Sequence, residues 1–210
     1  MCIRDRGEGL SEQDAVAGIK EALIRGTNLS VDLVSVEDGY FGNPQIRIPF
    51  PPEAGEIEST LRSIGLGSKV DEVVMSVNRA AEKAAEEARP IFISAITNLT
   101  VTDAIGIVRG NDNAATLYLQ NTTWDQLFNA FHPIVSGALD EVQATRYWED
   151  VINTYNTIPF VKKMDPDLVG YVTGKAIEGL FIMIEKEELN IREDPLARTT
   201  EILKKVFGDP

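Results

Sequence analysis

The sequence predicts an all-α protein, a compact multi-helix bundle of about nine or ten helices crossed by one extended Pro/Gly-rich segment near residues 38–52. Three observations predict it. Apolar residues recur at helical spacing through almost every stretch. The breaks between stretches carry capping signals and the connections are short. Only Asp38 to Pro52, DGYFGNPQIRIPFPP, departs from this pattern. There Pro44, Pro49, Pro51 and Pro52 lack a backbone donor and push the preceding residues toward extended geometry. Gly39 and Gly42 offer positive φ, and Ile46 and Ile48 alternate with Gln45 and Arg47 at a period of two.

The elements follow in order. Ser11 is placed as the N-cap of the first helix, with Asp14 at the capping-box position and a stripe from Ala15 through Ile19, Leu23, Val31 and Val34. Gly26 weakens its middle. After the crossing, Ile57, Leu61 and Ile64 share a face of a short helix that stops at Gly65. A helix over about Ser68 to Ala88 carries valines and then alanines on its apolar stripe, so its second half can approach a neighbour closely. Arg89-Pro90 reads as a break or kink, after which Phe92, Ile96 and Leu99 continue.

Thr100 or Thr102 caps another short helix that ends near Gly110, and Asn111 to Asn113 opens the next. Thr123 to Gln126 reads as a capping box at which a helix restarts, and Pro133 interrupts the run that follows. Tyr147, Trp148, Ile152 and Tyr155 mark a further helix before Pro159. Asp165-Pro166 is a cap followed by proline at the first helical position, opening a long helix from Asp167 to Leu189. Its apolar residues cover more than one face, which predicts a central position. Asp194-Pro195 repeats the signal for a last helix that closes at Gly208. Residues 1–6, MCIRDR, fit nothing that follows and are expected to be a non-native leader, with 7–210 a single helical domain.

Composition excludes several function classes. The 210 residues carry a formal charge of −13, which argues against broad binding to nucleic acid or anionic lipid. No apolar run approaches the roughly 18 residues of a membrane span. One cysteine, Cys2, permits no internal disulfide, and with one histidine, His132, there are too few ligands for a Cys/His zinc site. His132 lies in FNAFHPIV, where the expected role is a packed helix-end residue. No Walker loop, dinucleotide fingerprint or metal-hydrolase motif is present. No catalytic residue, metal or cofactor is assigned.

The blocks GIKEALIRGT from Gly18, DGYFGNPQIRIPFP from Asp38, NRAAEKAAEEARPIF from Asn78 and KAIEGLFIMIEKEELNIREDPLARTTEILKKVFG from Lys175 resemble, in the same order, the bacterial family called domain of unknown function 4197. The resemblance covers essentially everything after residue 7. It implies an all-helical domain of uncharacterised activity and brings no established catalytic residues. Members often begin with an export or lipoprotein signal, so the resemblance implies a periplasmic or envelope-associated protein. The start MCIRDR departs from that pattern and leaves a cytoplasmic location as the alternative.

The candidate ligand-binding cluster is Asp38, Tyr40, Asn43 and Arg47. A glycine-flanked loop can expose backbone N–H groups, and Arg47 with those amides suits a small anion. The structural alternative is that Arg47 pairs with a helix carboxylate and pins the crossing. Arg79, Glu82, Lys175 and Arg192 are assigned to structural ion pairs. Arg79, Glu82, Lys83 and Glu86 have the spacing of a solvated charge ladder. Glu185, Glu187 and Glu188 resemble paired carboxylates for hydrolysis, with Lys186 and Arg192 placed to neutralise them. Asn111-Asp112-Asn113 echoes a calcium loop without its glycine or final glutamate. Arg198 to Thr200 could contact phosphate but is expected to pack within its helix. The functional expectation is a non-catalytic binding or interaction protein of the cell envelope, acting on an unknown protein or a small anionic ligand. The alternative is a hydrolase using Asp, Glu and Arg in a pocket near residues 38–52.

Overall fold

Eight α-helices, one 3-10 turn and no β-strand make up the described part of the chain in a computed structural model. The structure describes residues 12–194 except 66, 142, 158, 161–162 and 164–166. The helices are α1 (Glu12–Val34), α2 (Gly55–Ser63), α3 (Gly67–Ala85), α4 (Ala88–Thr97), α5 (Val101–Arg109), α6 (Ala114–Glu141), α7 (Ala144–Asn156) and α8 (Leu168–Glu193). The all-α bundle is therefore as the periodicity predicts, and the segment from 35 to 51 is non-helical. Ser11, Asp165-Pro166, the last helix and Arg198 to Thr200 lie outside the described residues.

The described residues form two compact units. The first takes residues 12–30, 90–124 and 183–194. Its core includes Ile19, Leu23, Phe92, Ile96, Ile107, Leu119 and Ile184. Lys20 Nζ donates to the carbonyl of Thr97, the last residue of α4, where a cation meets the negative helix end. Glu188 of α8 reaches the start of α6 and accepts from the backbone N–H of Ala115 at 3.0 Å and of Thr116 at 2.8 Å. Arg192, one turn further along α8, donates to Glu188 at 2.7 Å and to the Ile107 carbonyl at 3.0 Å. Two orphan helix donors and one helix-end carbonyl are satisfied by this one pair.

The second unit takes residues 31–89 and 125–182. Its core is built from Val70, Val74 and Val77 and the alanine face of α3, with Leu127, Phe131, Val135 and Leu139 of α6. Val172, Ala176, Ile177 and Leu180 of α8 complete it. Phe50 and Trp148 meet edge to face, with ring centroids 5.4 Å apart. Gly65 ends the turn after α2 with φ +87°, the left-handed conformation that favours glycine.

Three local expectations change. The break before α4 falls at residues 86–87 rather than at Pro90, because Pro90 sits in the first turn of α4, where a backbone donor has no helical acceptor. No restart occurs at Thr123 and no interruption at Pro133, since α6 is continuous over 28 residues. Thr123 Oγ1 donates back to the Leu119 carbonyl at 2.7 Å, which satisfies its buried hydroxyl inside the helix instead of capping a new one. Pro133 is exposed, and its side of the helix can be solvated. Glu82, placed on a solvated ladder, is 4 % exposed, whereas Lys83 and Glu86 do face solvent.

The start of α5 is a reciprocal capping box. Asp103 N donates to Thr100 Oγ1 at 3.2 Å and Thr100 N to Asp103 Oδ2 at 3.1 Å. The Thr100 hydroxyl and then its backbone N–H hold the Asp103 carboxyl below its ordinary range. Thr100→Ala is expected to cost about 1 kcal/mol in urea unfolding. A depressed carboxylate pKa adds stability above the unfolded value, about 3.9, and loses it as pH falls through the folded value. The stability gap between the wild-type chain and Asp103→Asn should therefore be full at neutral pH and close in acid. A gap independent of pH would remove the capping box as its origin.

Candidate functional site

The crossing is a band fixed at three points. α1 ends at Val34, and the chain turns through Asp38, a non-glycine residue at φ 65°. Gly39 and Gly42 do not take positive φ. Gly39 is needed for space, because a Cβ there would run into the Val34 carbonyl. Turns follow one another up to residue 46: Gly42 N donates to Asp38 O, Asn43 N to Tyr40 O, and Ile46 N and Arg47 N to Asn43 O. Asn43-Pro44 suits the first two positions of such a turn, since proline presets φ at the second. Asn43 Oδ1 also accepts from Gln45 N at 3.1 Å. The longest run without turn geometry is residues 47–49, before Phe50 bends toward the 3-10 turn Pro52–Ala54. The period-two reading holds in burial: Ile46, Ile48 and Phe50 are buried, and Gln45, Arg47 and Pro49 are exposed.

The first fixing point is Glu82 of α3, which accepts from Tyr40 N at 3.1 Å and Phe41 N at 3.2 Å through one oxygen. Its other oxygen accepts from Arg79 Nη1 at 2.7 Å. Arg79 also donates to Asp38 at 2.8 Å, and these hydrogen bonds, led by Glu82, hold the guanidinium pKa above its usual range. The second is Asn78, fully buried, which treats Ile48 as a strand neighbour would. Its Oδ1 accepts from Ile48 N at 2.9 Å, and its Nδ2 donates to Ile48 O at 2.8 Å and Val74 O at 2.7 Å. The third is Tyr40, also fully buried, whose hydroxyl donates to Ala176 O of α8 at 2.6 Å. Burial, and then the Glu82 charge, push the Tyr40 pKa strongly upward, so the group stays a neutral donor. Its ring and Ile46 press on Gly179, where a Cβ would lie 2.8 Å from Tyr40 Cε1 and 3.1 Å from Ile46 Cβ.

A groove of about 260 Å³ runs between this band and α8. Ile46, Ile48 and Pro49 line one wall, and Gly179 and Ile182 the other. Arg47 stands at its edge with the guanidinium carbon 4.2 Å above the Phe41 ring centroid. Arg47 makes no ion pair with a described residue, so this stacking takes the place of the helix carboxylate expected for it. Lys175 and Glu178, 2.6 Å apart, occupy the opposite edge.

Of the four predicted ligand residues, only Arg47 lines the groove. Tyr40 lies behind its wall, Asn43 shapes a turn, and Asp38 is engaged by Arg79. Arg79 with Glu82, Lys175 with Glu178 and Arg192 with Glu188 form ion pairs, the first and last partly or wholly buried. Among the acidic residues of α8, Glu188 is spent on the start of α6 and Glu185 accepts from Asn113 Nδ2 at 3.1 Å. Asn111 and Asn113 accept the backbone N–H groups of Ala114 and Leu117 through their carbonyls. His132 stands mid-helix rather than at a helix end, its ring 5.7 Å from that of Phe128 one turn earlier. No group of three or more metal-binding side chains gathers among the described residues, and no single helix there is long and apolar enough to cross a membrane.

Sequence reasoning missed Asn78, Phe41, Gly179 and Ile182. Asn78 left a signal: with Val74 and Glu82 it forms an i, i+4 row along the apolar stripe of α3, an unusual place for two polar side chains. Gly179, inside an apolar helix, marked a close approach without saying of what.

The chain belongs to the family described as "Protein of unknown function (DUF4197)", whose model matches residues 9–208. No curated protein and no solved structure matches it.

Asn78→Leu would strand both the N–H and the C=O of buried Ile48, at about 1–3 kcal/mol for each group that water cannot reach. Urea unfolding should report that loss, and hydrogen exchange at the Ile48 amide should accelerate. Gly179→Val should cost about 1–3 kcal/mol by overpacking Tyr40 and Ile46. If Tyr40→Phe is no less stable than wild type, the contact with Ala176 is not a fixing point.

Proposed function

For this member of the DUF4197 family we propose a non-catalytic binding role, with the groove between the band and α8 as the ligand site. One observation supports it above others. Glu82, Asn78 and Tyr40 beside the groove are consumed in holding the band, and the groove's own charged residues are one arginine and one exposed ion pair. General acid–base chemistry needs titratable groups set apart in pKa and aimed at one reacting atom. The groove instead offers an apolar bed and a cationic edge, the composition of a recognition site. Envelope placement rests on the export signals that the family resemblance implies.

Native mass spectrometry of the gently purified full chain tests the role. A low-mass adduct is expected, lost in Ile182→Trp, which fills the groove from an exposed position without entering the core. An adduct indifferent to that substitution would move the site elsewhere. Turnover of ester, phosphate or glycoside substrates that Glu178→Gln abolishes would favour a hydrolase. For the compartment, co-fractionation of the native gene product with a periplasmic marker is the expected outcome, and recovery with cytoplasmic enzymes would refute it.

A further inference from the structure

We propose that the groove takes a small amphipathic monoanion, a carboxylate on a hydrocarbon body, with its head on Arg47. This rests on the binding role above and narrows it to a ligand class. The body follows from the walls. Ile46, Ile48, Pro49, Pro52, Gly179 and Ile182 present hydrocarbon, and Tyr171 and Gln45 add the only uncharged polar side chains of the lining. Ile182 is 43 % exposed there, apolar surface that a hydrocarbon would cover.

The head follows from the rim. Phe41 covers one side of the Arg47 guanidinium at 4.2 Å, and a guanidinium's N–H donors suit a carboxylate docked in a two-bond fork. Lys175 is neutralised by Glu178 at 2.6 Å, so the rim has one positive charge in excess and matches one negative charge. A chain of formal charge −13 repels a polyanion more strongly than a monoanion.

The size follows from the volume. At about 260 Å³ the groove falls just below the roughly 300–1,000 Å³ of sites for drug-sized ligands, so it suits a small molecule. The walls are also set before any ligand arrives. Asn78 holds Ile48 by both backbone groups, and Tyr40 and Ile46 close on Gly179. Little ordering is left to oppose binding.

Titration of the full chain with octanoate, octanol, acetate and inorganic phosphate, read by calorimetry and by amide chemical shifts, tests the assignment. Octanoate is expected to bind, shifting the amides of Ile46, Ile48, Gly179 and Ile182. Octanol and acetate should bind at least about tenfold more weakly, each lacking one of the two recognised parts. Arg47→Met keeps an aliphatic stem over Phe41 and removes the charge; it should weaken octanoate about tenfold and leave octanol unchanged. Ile182→Trp should abolish both. Octanol binding as well as octanoate, phosphate displacing octanoate, or indifference to Arg47→Met would each overturn the assignment. If an Ile182-dependent adduct proves to be of another chemistry, the groove remains a binding site and only the ligand class fails. If the chain carries no such adduct and binds none of the four titrants, both readings fail.

Discussion

A carboxylate buried beside two adjacent backbone N–H groups, with an arginine one helical turn away, is the arrangement on which the band depends. A non-helical segment cannot satisfy its own donors, and next to a core they are cut off from water. Glu82 accepts two of them and is itself balanced by Arg79. The first unit uses the same device, with Glu188 accepting from Ala115 and Thr116 and Arg192 standing one turn on. In neither place is the ion pair an efficient source of stability, since desolvating two charges offsets most of their attraction. Its worth lies in what would follow without it: a buried backbone left with no partner.

Asn78 and Tyr40 extend this logic from charge to neutral hydrogen bonds. A primary amide has a donor and an acceptor spaced to meet the N–H and C=O of one extended residue, so a helix can grip a strand-like segment without any sheet. With Ile48 held on that side and Tyr40 anchored to α8 on the other, the band cannot slide or twist. The groove is a consequence of this rigidity. Ile46, Ile48 and Gly179 are already committed to the core, while Gln45, Arg47, Pro49, Pro52, Glu178 and Ile182 stay exposed along it. Along residues 45–50 the side chains that pack into the core therefore alternate with those that stay exposed.

The continuity of α6 shows how tertiary packing overrides local signals. Thr123 followed by Gln126 has the form of a capping box, and Pro133 removes a helical hydrogen bond. Either would end an isolated helix. Yet Leu119, Leu127, Phe131, Val135 and Leu139 keep helical register across both positions and are fully buried. Burying five large side chains at about 1.5–3 kcal/mol each outweighs a proline penalty of about 3 kcal/mol. The cap at Thr100 has no such opposing register, and there the local signal prevails.

The sequence by itself determined the helical class, the position of the one crossing, most helix boundaries and the alternating burial of Ile46, Arg47 and Ile48. Those features follow from periodicity, capping chemistry and proline geometry, which act over a few residues. Only the tertiary structure decided that Glu82 and Asn78 serve the band, that Arg47 rests on Phe41, and that Lys175, Gly179 and Ile182 face the same groove. Apart from the local contact of Arg47 with Phe41, these pairings join residues from about 30 to more than 130 positions apart. Spacing along a chain fixes which face of a helix a side chain occupies, but not what that face will meet. A glutamate four residues from an asparagine reads the same whether it faces water or a buried backbone. The difference is made by the segment that the fold lays across it.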